Sequence, residues 1–260
     1  MSIQLPDSFP ASSSVAGRRV VLTGASGGLG RVLALAFSQG GARVALVARN
    51  QGALEKLAGS LPGESLICQA DVSNAADNDR VAEVVTQAWG GIDTWIANAG
   101  ISPVLESVLD MSPETWRQVQ QVNLDGVFHG ARAAASQMIG VGQGGRIVVT
   151  TSVLAERPRQ GLSAYSVSKA GATALVKALA MELGSHGITV NAVAPGWFDS
   201  PLTSFWTRNL NRSKEITDHT AIGRWGLSED LPGVYLFLAS DASAFVTGSV
   251  LTVDGGYLCL

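Results

Sequence analysis

The chain is poor in the residues that bind metals and form disulfide frameworks. Its 260 residues include two cysteines, Cys68 and Cys259, and three histidines. The cysteines lie far apart in sequence, and His129, His186 and His219 lack the spacing of metal ligands. These residues predict neither a disulfide scaffold nor a metal site, and so few cysteines are typical of a cytoplasmic protein.

Basic clusters and long apolar runs are also missing. The net charge is −3 and charged residues make up 15% of the chain, which is atypical of a nucleic-acid-binding surface. No apolar run is long enough to span a membrane. The first residues, with Pro6 and Pro10, lack the apolar core of a secretory signal. We expect residues 1–15 to form a mobile tail and residues 16–260 to form one domain.

Apolar residues, in contrast, make up 46% of the chain. They form short branched runs that predict strands at 19–23, 42–48, 65–70, 92–97, 145–151, 187–194 and 249–253. Helical patterns lie between them at 31–38, 112–135, 170–182 and 228–238, with a further helix beginning near Asn74. This alternation predicts an α/β fold, a doubly wound parallel sheet (Rossmann fold) of about seven strands flanked by helices.

A glycine-rich loop follows the first predicted strand and opens the first helix. It contains Gly24, Gly28 and Gly30, in the strand–loop–helix context that a dinucleotide-binding fingerprint requires. The glycines let the backbone approach a pyrophosphate, which rests on the free N–H groups of the helix N-terminus. A glycine-rich turn without a ligand is the alternative, and the context favours binding.

The second predicted strand ends in Ala48-Arg49-Asn50, without the acidic residue that commonly binds the ribose hydroxyls of NAD. The guanidinium group of Arg49 is suited instead to pair with a 2′-phosphate. We therefore expect NADP(H) to be the favoured cofactor, with NAD(H) as the alternative. A solvated loop arginine without a ligand is the other interpretation of Arg49.

Polar residues also follow the third and fourth predicted strands. Asp71 is a candidate to accept a hydrogen bond from the adenine amino group, to cap the helix that opens near Asn74, or to do both. Asn98 and Gly100 suit a turn, and they also lie at the carboxyl edge of the sheet, beside a bound cofactor. Asn123 interrupts an apolar helix face, so it is either a surface residue or a buried amide with hydrogen-bond partners.

Tyr165 and Lys169 stand four residues apart on a predicted helix, which places both side chains on one face. A free phenol has a pKa near ~10, and a neighbouring ammonium group lowers that value. Tyr165 is therefore a candidate general acid or base, and Ser152, at the end of a strand, is a candidate to hold the reacting oxygen. The alternative is a buried tyrosine beside a solvated lysine, which the strand-end serine and the glycine loop make less favourable.

Aromatic residues gather in the loop after Pro195-Gly196. Aromatic rings suit the wall of an apolar ligand pocket, although we expect at least two of these rings to pack in the core or in a subunit interface. The charged residues nearby are few, namely Arg157, Arg159 and Arg208. We expect an apolar pocket for a small-molecule substrate, formed by Ser152, Val153, Leu154, Trp197, Phe205 and Trp206.

Taken in order, these motifs resemble the short-chain dehydrogenase/reductase family from about Ala16 to the C-terminus. Ala97 stands where the family often has asparagine and Ser200 where it often has threonine, and neither departure puts the activity in doubt. The resemblance rests on Thr23-Gly24-x-x-x-Gly28-x-Gly30, Asp71-Val72, Asn98-Ala99-Gly100, Asn123, Ser152, Tyr165-x-x-x-Lys169 and Pro195-Gly196.

The resemblance implies an NAD(P)-dependent oxidoreductase with a catalytic tetrad. Tyr165 would donate the proton in reduction, and Lys169 would lower its pKa and bind the nicotinamide ribose. Ser152 would orient the substrate, and Asn123 would hold a water in a proton relay. The cofactor would contact Gly24, Ser26, Gly28, Leu29, Gly30, Arg49, Asp71, Val72, Asn98, Ala99, Gly100, Tyr165, Lys169, Pro195, Gly196, Phe198 and Ser200.

The resemblance also implies features beyond the tetrad. The substrate would be a ketone or secondary alcohol, and the apolar pocket favours a hydrophobic one that is cyclic or aryl-bearing. The segment after Gly196 would cover the active site as a mobile lid, and the hydroxyl of Ser200 would contact the nicotinamide carboxamide. The last strand would help to form a homotetramer, with a dimer as the alternative. No nucleic acid or membrane is expected as a partner.

Three other functions compete with an NADP-dependent oxidoreductase that acts on a secondary alcohol or ketone. A 3-oxoacyl-[acyl-carrier-protein] reductase would need a basic docking patch, and the helix around Arg132 offers little. A catalytically silent nucleotide-binding protein is disfavoured because all four tetrad positions are filled. A serine hydrolase acting through Ser152 would need a Gly-x-Ser-x-Gly elbow, which the chain lacks.

Overall fold

The computed structural model of the protein describes residues 14–102 and 105–260. The predicted tail, residues 1–15, lies outside these ranges except for its last two residues. Val15 is only 2% exposed and belongs to a core cluster that also contains Phe37. The folded part of the chain therefore includes a residue that the prediction assigned to the tail.

Seven parallel strands form one sheet in the order β3-β2-β1-β4-β5-β6-β7. All seven predicted strands are confirmed, and their ends differ from the prediction by at most two residues. The strands are β1 (Arg19–Thr23), β2 (Arg43–Ala48), β3 (Ser65–Gln69), β4 (Thr94–Ala97), β5 (Gly145–Thr150), β6 (Ile188–Pro195) and β7 (Val250–Val253).

The helices differ more from the prediction. The predicted helix 112–135 is broken by a π-helical turn, Gln121–Asp125, and then continues to Val141. Three helices, α2, α7 and α8 in the list that follows, were not predicted. The described residues form α1 (Gly28–Gln39), α2 (Gln51–Ala58), α3 (Ala75–Trp89), α4 (Pro113–Gln120), α5 (Gly126–Val141), α6 (Ser163–Leu183), α7 (Ser204–Thr207), α8 (Leu210–Asp218) and α9 (Pro232–Ala239).

Apolar layers cover both faces of the sheet. On one face, α3, α5 and α6 pack against Val21 of β1 and Trp95 of β4. On the other face, α1, α2 and α9 pack against the next residues, Leu22 and Ile96. The side chains of successive strand residues therefore point to opposite faces of the sheet and pack in different layers, as the two-residue period of a strand requires. The predicted Rossmann fold is confirmed.

The position of β1 between β2 and β4 creates the crevice in which such sheets bind ligands. The chain leaves β1 through α1 on one face of the sheet, whereas the chain that leaves β4 reaches α5 on the other face. The two connections diverge, so a crevice opens at the carboxyl ends of these strands. No helix in the described ranges is both long enough and apolar enough to cross a membrane.

An ion pair joins the opposite, amino ends of the same two strands. Arg19 Nε donates to Asp93 Oδ2 at 2.9 Å, and the Arg19 backbone N–H donates to the same oxygen at 2.8 Å. Both side chains are mostly buried. Burial opposes ionisation of Asp93, but the hydrogen bonds from Arg19 outweigh it and hold the pKa of Asp93 below its ordinary value.

Replacing Asp93 by asparagine should lower the free energy of unfolding by about 2 kcal/mol at neutral pH, because the charged bonds to Arg19 are lost. Since the folded state lowers the pKa of Asp93, this contribution is present above the ordinary value of 3.8 and is lost as the pH falls through the folded value. Urea unfolding of wild type and variant across the acid range measures this difference, which should shrink towards low pH.

The matched control for this prediction is Asp79→Asn. Asp79 pairs with Arg132 at 2.8 Å, but both side chains are about half exposed, so the loss should stay below about 1 kcal/mol. Equal losses in the two variants would show that the Arg19–Asp93 pair has no special weight in the fold.

Candidate active site

The carboxyl edge of the sheet carries a cleft of about 760 Å³. It brings together every cofactor-binding and substrate-pocket residue named in the sequence analysis, with Ser152, Tyr165 and Lys169 among them. Asn123 is fully buried and lies outside the lining. The cleft also includes apolar residues that the sequence did not single out, namely Ile101, Leu105, Leu162 and Leu202.

The glycine-rich loop forms one end of the cleft. A Cβ built at Gly24, whose φ is +68°, would lie 2.8 Å from Ala99 Cα, and one at Gly30 would lie 2.1 Å from Gly24 O. Both positions therefore require glycine. At Gly27 no protein atom lies within 4 Å of such a Cβ, so this backbone faces open space. Helix α1 begins there without a side-chain cap or an acidic residue in its first turn, which fits a pyrophosphate.

The ends of β2 and β3 form the adjacent wall. Arg49 is exposed, and within the described part of the chain it has no acidic partner. The capping role predicted for Asp71 is wrong, because Asn74 Oδ1 accepts from Ala76 N–H and is the cap of α3. Asp71 Oδ1 instead accepts from the N–H and the hydroxyl of Ser73.

The turn after β4 is tied to β1. Thr23 Oγ1 accepts from the N–H groups of Asn98 and Ala99, both at 3.0 Å, and Asn98 Nδ2 donates to Thr23 O at 3.0 Å. A Cβ at Gly100 would lie 3.3 Å from Asn123 Oδ1 and 3.4 Å from Lys169 Nζ. Gly100 thus lets this turn pass close to the lysine.

Helix α6 presents Tyr165 and Lys169 to the cleft. Lys169 Nζ donates to Thr150 O at 2.8 Å and lies 5.7 Å from the centre of the Tyr165 ring. Ser152 lines the cleft together with Tyr165, and Ser152 Oγ accepts from Leu154 N–H at 3.1 Å. The side chains of Ser152, Tyr165 and Lys169 are all buried.

Burial controls the protonation of this group. It raises the pKa of Tyr165 to about 12, although the hydrogen bond with Ser152 acts in the opposite direction. It also lowers the pKa of Lys169 to about 8. The predicted lowering of the Tyr165 pKa by Lys169 is therefore wrong for this structure, because desolvation of the phenolate outweighs the other effects. Tyr165 is a neutral phenol at physiological pH.

Asn123 sits in the π-helical turn between α4 and α5. Its Oδ1 accepts from Ile101 N–H at 2.8 Å, and its Nδ2 donates to Ile101 O at 2.8 Å and to Ser168 Oγ at 3.1 Å. The amide is thus a buried group with partners, one of the two outcomes expected from the sequence. It joins the turn after β4 to helix α6, and its predicted water relay stays a prediction.

The segment from Trp197 to Asp218, which we call the cover segment, forms the other wall of the cleft. Trp197 and Trp206 are mostly buried, and their rings meet edge to face with centres 5.1 Å apart. Phe205 lies beside Trp206 and is about half exposed. The expectation that at least two of these rings pack in the core is confirmed: Phe198 joins the cluster that contains residues of α1 and α9, and Trp197 and Trp206 belong to a second buried cluster.

Charge is scarce in the cleft. Within the described residues its charged lining consists of Arg49, Asp71 and Lys169. The arginines noted near the predicted pocket, Arg157, Arg159 and Arg208, do not line the cleft. Arg157 donates to the carbonyls of Tyr257 and Leu260, and Arg159 pairs with Glu215.

The Ser200 hydroxyl has a partner within the cover segment. Ser200 Oγ lies 3.1 Å from Thr203 Oγ1, and Thr203 Oγ1 donates to Phe198 O at 2.6 Å. Ser200 also precedes a short helical turn, Pro201–Thr203. A contact of its hydroxyl with a nicotinamide carboxamide stays a prediction.

Comparisons with known proteins agree with this geometry. A family model described as "Enoyl-(Acyl carrier protein) reductase" matches residues 24–258. Gluconate 5-dehydrogenase of Gluconobacter oxydans (strain 621H) is 36% identical over 259 residues, which cover 96% of this chain and 98% of that protein.

Solved structures are equally similar. A short-chain type dehydrogenase/reductase from Mycobacterium marinum is 37% identical with a TM-score of 0.90, covering 95% of this chain and 98% of that one. A gluconate 5-dehydrogenase from Burkholderia cenocepacia J2315, in complex with NADP and tartrate, is 32% identical with a TM-score of 0.90 and the same coverage.

The chain therefore belongs to the short-chain dehydrogenase/reductase family. It is an NAD(P)-dependent oxidoreductase that acts on CH–OH groups. The resemblance seen in the sequence motifs is thus confirmed.

Proposed function

We propose that the protein reduces hydrophobic ketones, cyclic or aryl-bearing, to secondary alcohols with NADPH, and that it catalyses the reverse oxidation. The observation that carries this proposal is the apolar wall of the substrate half of the cleft. Val153, Leu154, Trp197 and Trp206 form this wall, and the charged lining residues lie at the cofactor end or beside Tyr165. Pockets of this kind favour apolar ligands.

In this proposal Tyr165 and Ser152 carry out the proton chemistry. The Ser152 hydroxyl, which lines the same cleft as Tyr165, holds the substrate oxygen, and the neutral phenol donates its proton to that oxygen. NADPH, when bound, supplies the hydride. Lys169, a residue of α6 whose Nζ lies at the end of β5, binds the nicotinamide ribose. Asn123 completes the tetrad by positioning Ile101 and α6.

The preference for NADP(H) rests on Arg49. Its guanidinium group is exposed beside the cleft and without an acidic partner among the described residues, so it is free to pair with a 2′-phosphate. Asp71, which follows the neighbouring strand β3, would accept a hydrogen bond from the adenine amino group through its Oδ2. NAD(H) is the alternative cofactor.

Two other substrate classes are less well supported. A sugar acid needs a cation for its carboxylate, and Arg157 and Arg159 are already engaged by main-chain carbonyls and by Glu215. An acyl-carrier protein needs a basic docking patch, but Arg132 pairs with Asp79 at 2.8 Å. These pairings of Arg157, Arg159 and Arg132 count against both classes.

We further propose that the enzyme is a cytoplasmic homotetramer. Trp116 on α4 and Phe128 on α5 are partly exposed, and Phe245, before β7, is fully exposed. Large exposed apolar side chains favour contacts with other protein surfaces. Cys68 and Cys259 are unpaired, which fits a reducing compartment.

Tyr165→Phe should lower kcat by about 10²–10⁴-fold, the usual contribution of a general acid, and leave NADPH binding nearly unchanged. Stopped-flow turnover and fluorescence titration with NADPH measure the two effects. Tyr257→Phe is the matched control, because Tyr257 lies outside the lining of the cleft. Lys169→Ala should damage both rate and cofactor affinity. A Tyr165→Phe enzyme with wild-type kcat would rule out the assigned proton donor.

Arg49→Ala should weaken NADPH binding by about ten- to hundredfold, as expected for loss of a charge-assisted contact, and should barely change NADH binding. Arg43→Ala, at the opposite end of β2, is the matched control. Dissociation constants for both cofactors measure the effect. Equal kcat/KM of the wild-type enzyme with NADPH and NADH would defeat the proposed preference.

The substrate class is tested by comparing kcat/KM for a cyclic or aryl ketone, a keto-sugar acid and an acetoacetyl thioester. The ketone should be preferred, and Trp206→Ala should raise its KM by about tenfold while affecting a small ketone less. Trp89→Ala, outside the cleft, is the matched control. A clear preference for the sugar acid or the thioester would overturn the proposed substrate.

A further inference from the structure

Arg159 connects the cover segment to the loop that leads from Ser152 to α6. It lies in the loop between Ser152 and α6, and its side chain is 19% exposed. Its guanidinium carbon is 4.8 Å from the centre of the Trp206 ring and 5.4 Å from that of Trp197. The same guanidinium group forms an ion pair with Glu215 on α8.

The partners of Arg159 all belong to the cover segment, whereas Arg159 itself belongs to the body of the domain. Trp197 follows β6, Trp206 is on α7, and Glu215 is on α8. Arg159 therefore fastens three successive parts of the cover segment to the loop that leads from Ser152 to Tyr165. Both tryptophans line the cleft, but Arg159 does not.

We propose that Arg159 is a positioning residue that holds Trp206 in the wall of the substrate pocket and so sets which ketones the enzyme binds. The inference rests on the proposed function and goes beyond it by naming a residue outside the cleft. Because Arg159 does not touch the reacting atoms, it should govern substrate binding rather than the chemical step.

The chemistry of the guanidinium group suits this role. A planar, delocalised cation stacks on aromatic faces and still donates hydrogen bonds at its edge, which an ammonium group does less well. Arg212 also approaches the rings, at 4.0 Å from the centre of Phe205 and 5.7 Å from that of Trp206. It lies on α8 within the cover segment, however, and therefore cannot fasten that segment to the body.

The kinetic test compares Arg159→Ala with wild type on an aryl ketone and on a small aliphatic ketone. The KM for the aryl ketone should rise by about tenfold, the effect of losing a partly desolvated cation–π contact and an ion pair. The kcat and the KM for the small ketone should change by less than about twofold. A raised KM with an unchanged kcat shows that the lost interaction stabilised the bound substrate and the transition state equally.

The structural test follows hydrogen exchange of the α8 amides in the same proteins without substrate. Arg159→Ala should speed exchange in α8 and leave the central strands unchanged, because the helix loses its ion pair to the body. Glu215→Gln should have a smaller effect in the same direction. Asp218→Asn is the matched control, since Asp218 pairs with Lys214 inside α8, and it should change neither the exchange nor the KM.

Two outcomes would overturn the proposal. In the first, Arg159→Ala keeps the wild-type KM for the aryl ketone and the wild-type exchange rates in α8. In the second, Asp218→Asn changes both quantities as much as Arg159→Ala does. If Arg159→Ala does not fold, Arg159→Lys decides in its place, because it keeps the charge but not the planar group, and an unchanged KM for the aryl ketone would contradict the inference. If the wild-type enzyme reduces no aryl ketone, the proposed function is wrong. The hydrogen-exchange rates of α8 then test on their own whether Arg159 holds the cover segment.

Discussion

The hydrogen-bonded junction between β1 and β4 fixes the geometry on which the active site depends. Thr23 Oγ1 binds the N–H groups of Asn98 and Ala99, so the chain leaves β4 along one path. That path brings Gly100 against Lys169 Nζ, which is itself bonded to Thr150 O at the end of β5. The ammonium group is therefore placed by the ends of three neighbouring strands, and a shift in any of them would displace it.

Burial then determines what this geometry can do. A phenol with a pKa of about 12 stays protonated, and a lysine with a pKa of about 8 exchanges its proton near neutral pH. Both shifts have one cause, desolvation of the charged form. Burial therefore keeps Tyr165 protonated and brings the titration of Lys169 closer to physiological pH.

Much of this arrangement could be predicted from local sequence signals. The glycine loop and the Tyr165/Lys169 spacing are short-range patterns, and the strand ends lie on one edge because the strands are parallel. The errors concern competition between neighbours and burial: Asn74, rather than Asp71, caps α3, and desolvation reverses the shift expected for Tyr165. The Arg159–Glu215 pair joins residues 56 positions apart, a distance at which a single sequence gives no signal.

The difference between main-chain geometry and individual side-chain contacts explains why similarity to relatives over nearly the whole chain does not identify the substrate. The cofactor end of the cleft is built from main-chain turns at strand ends, which the shared fold reproduces. The cover segment is held instead by individual side chains, with Trp197, Trp206 and Glu215 meeting Arg159 across the cleft wall. A change in one of these side chains can alter the pocket without disturbing the sheet. The contacts that hold this part of the cleft are therefore ones that the common fold does not specify.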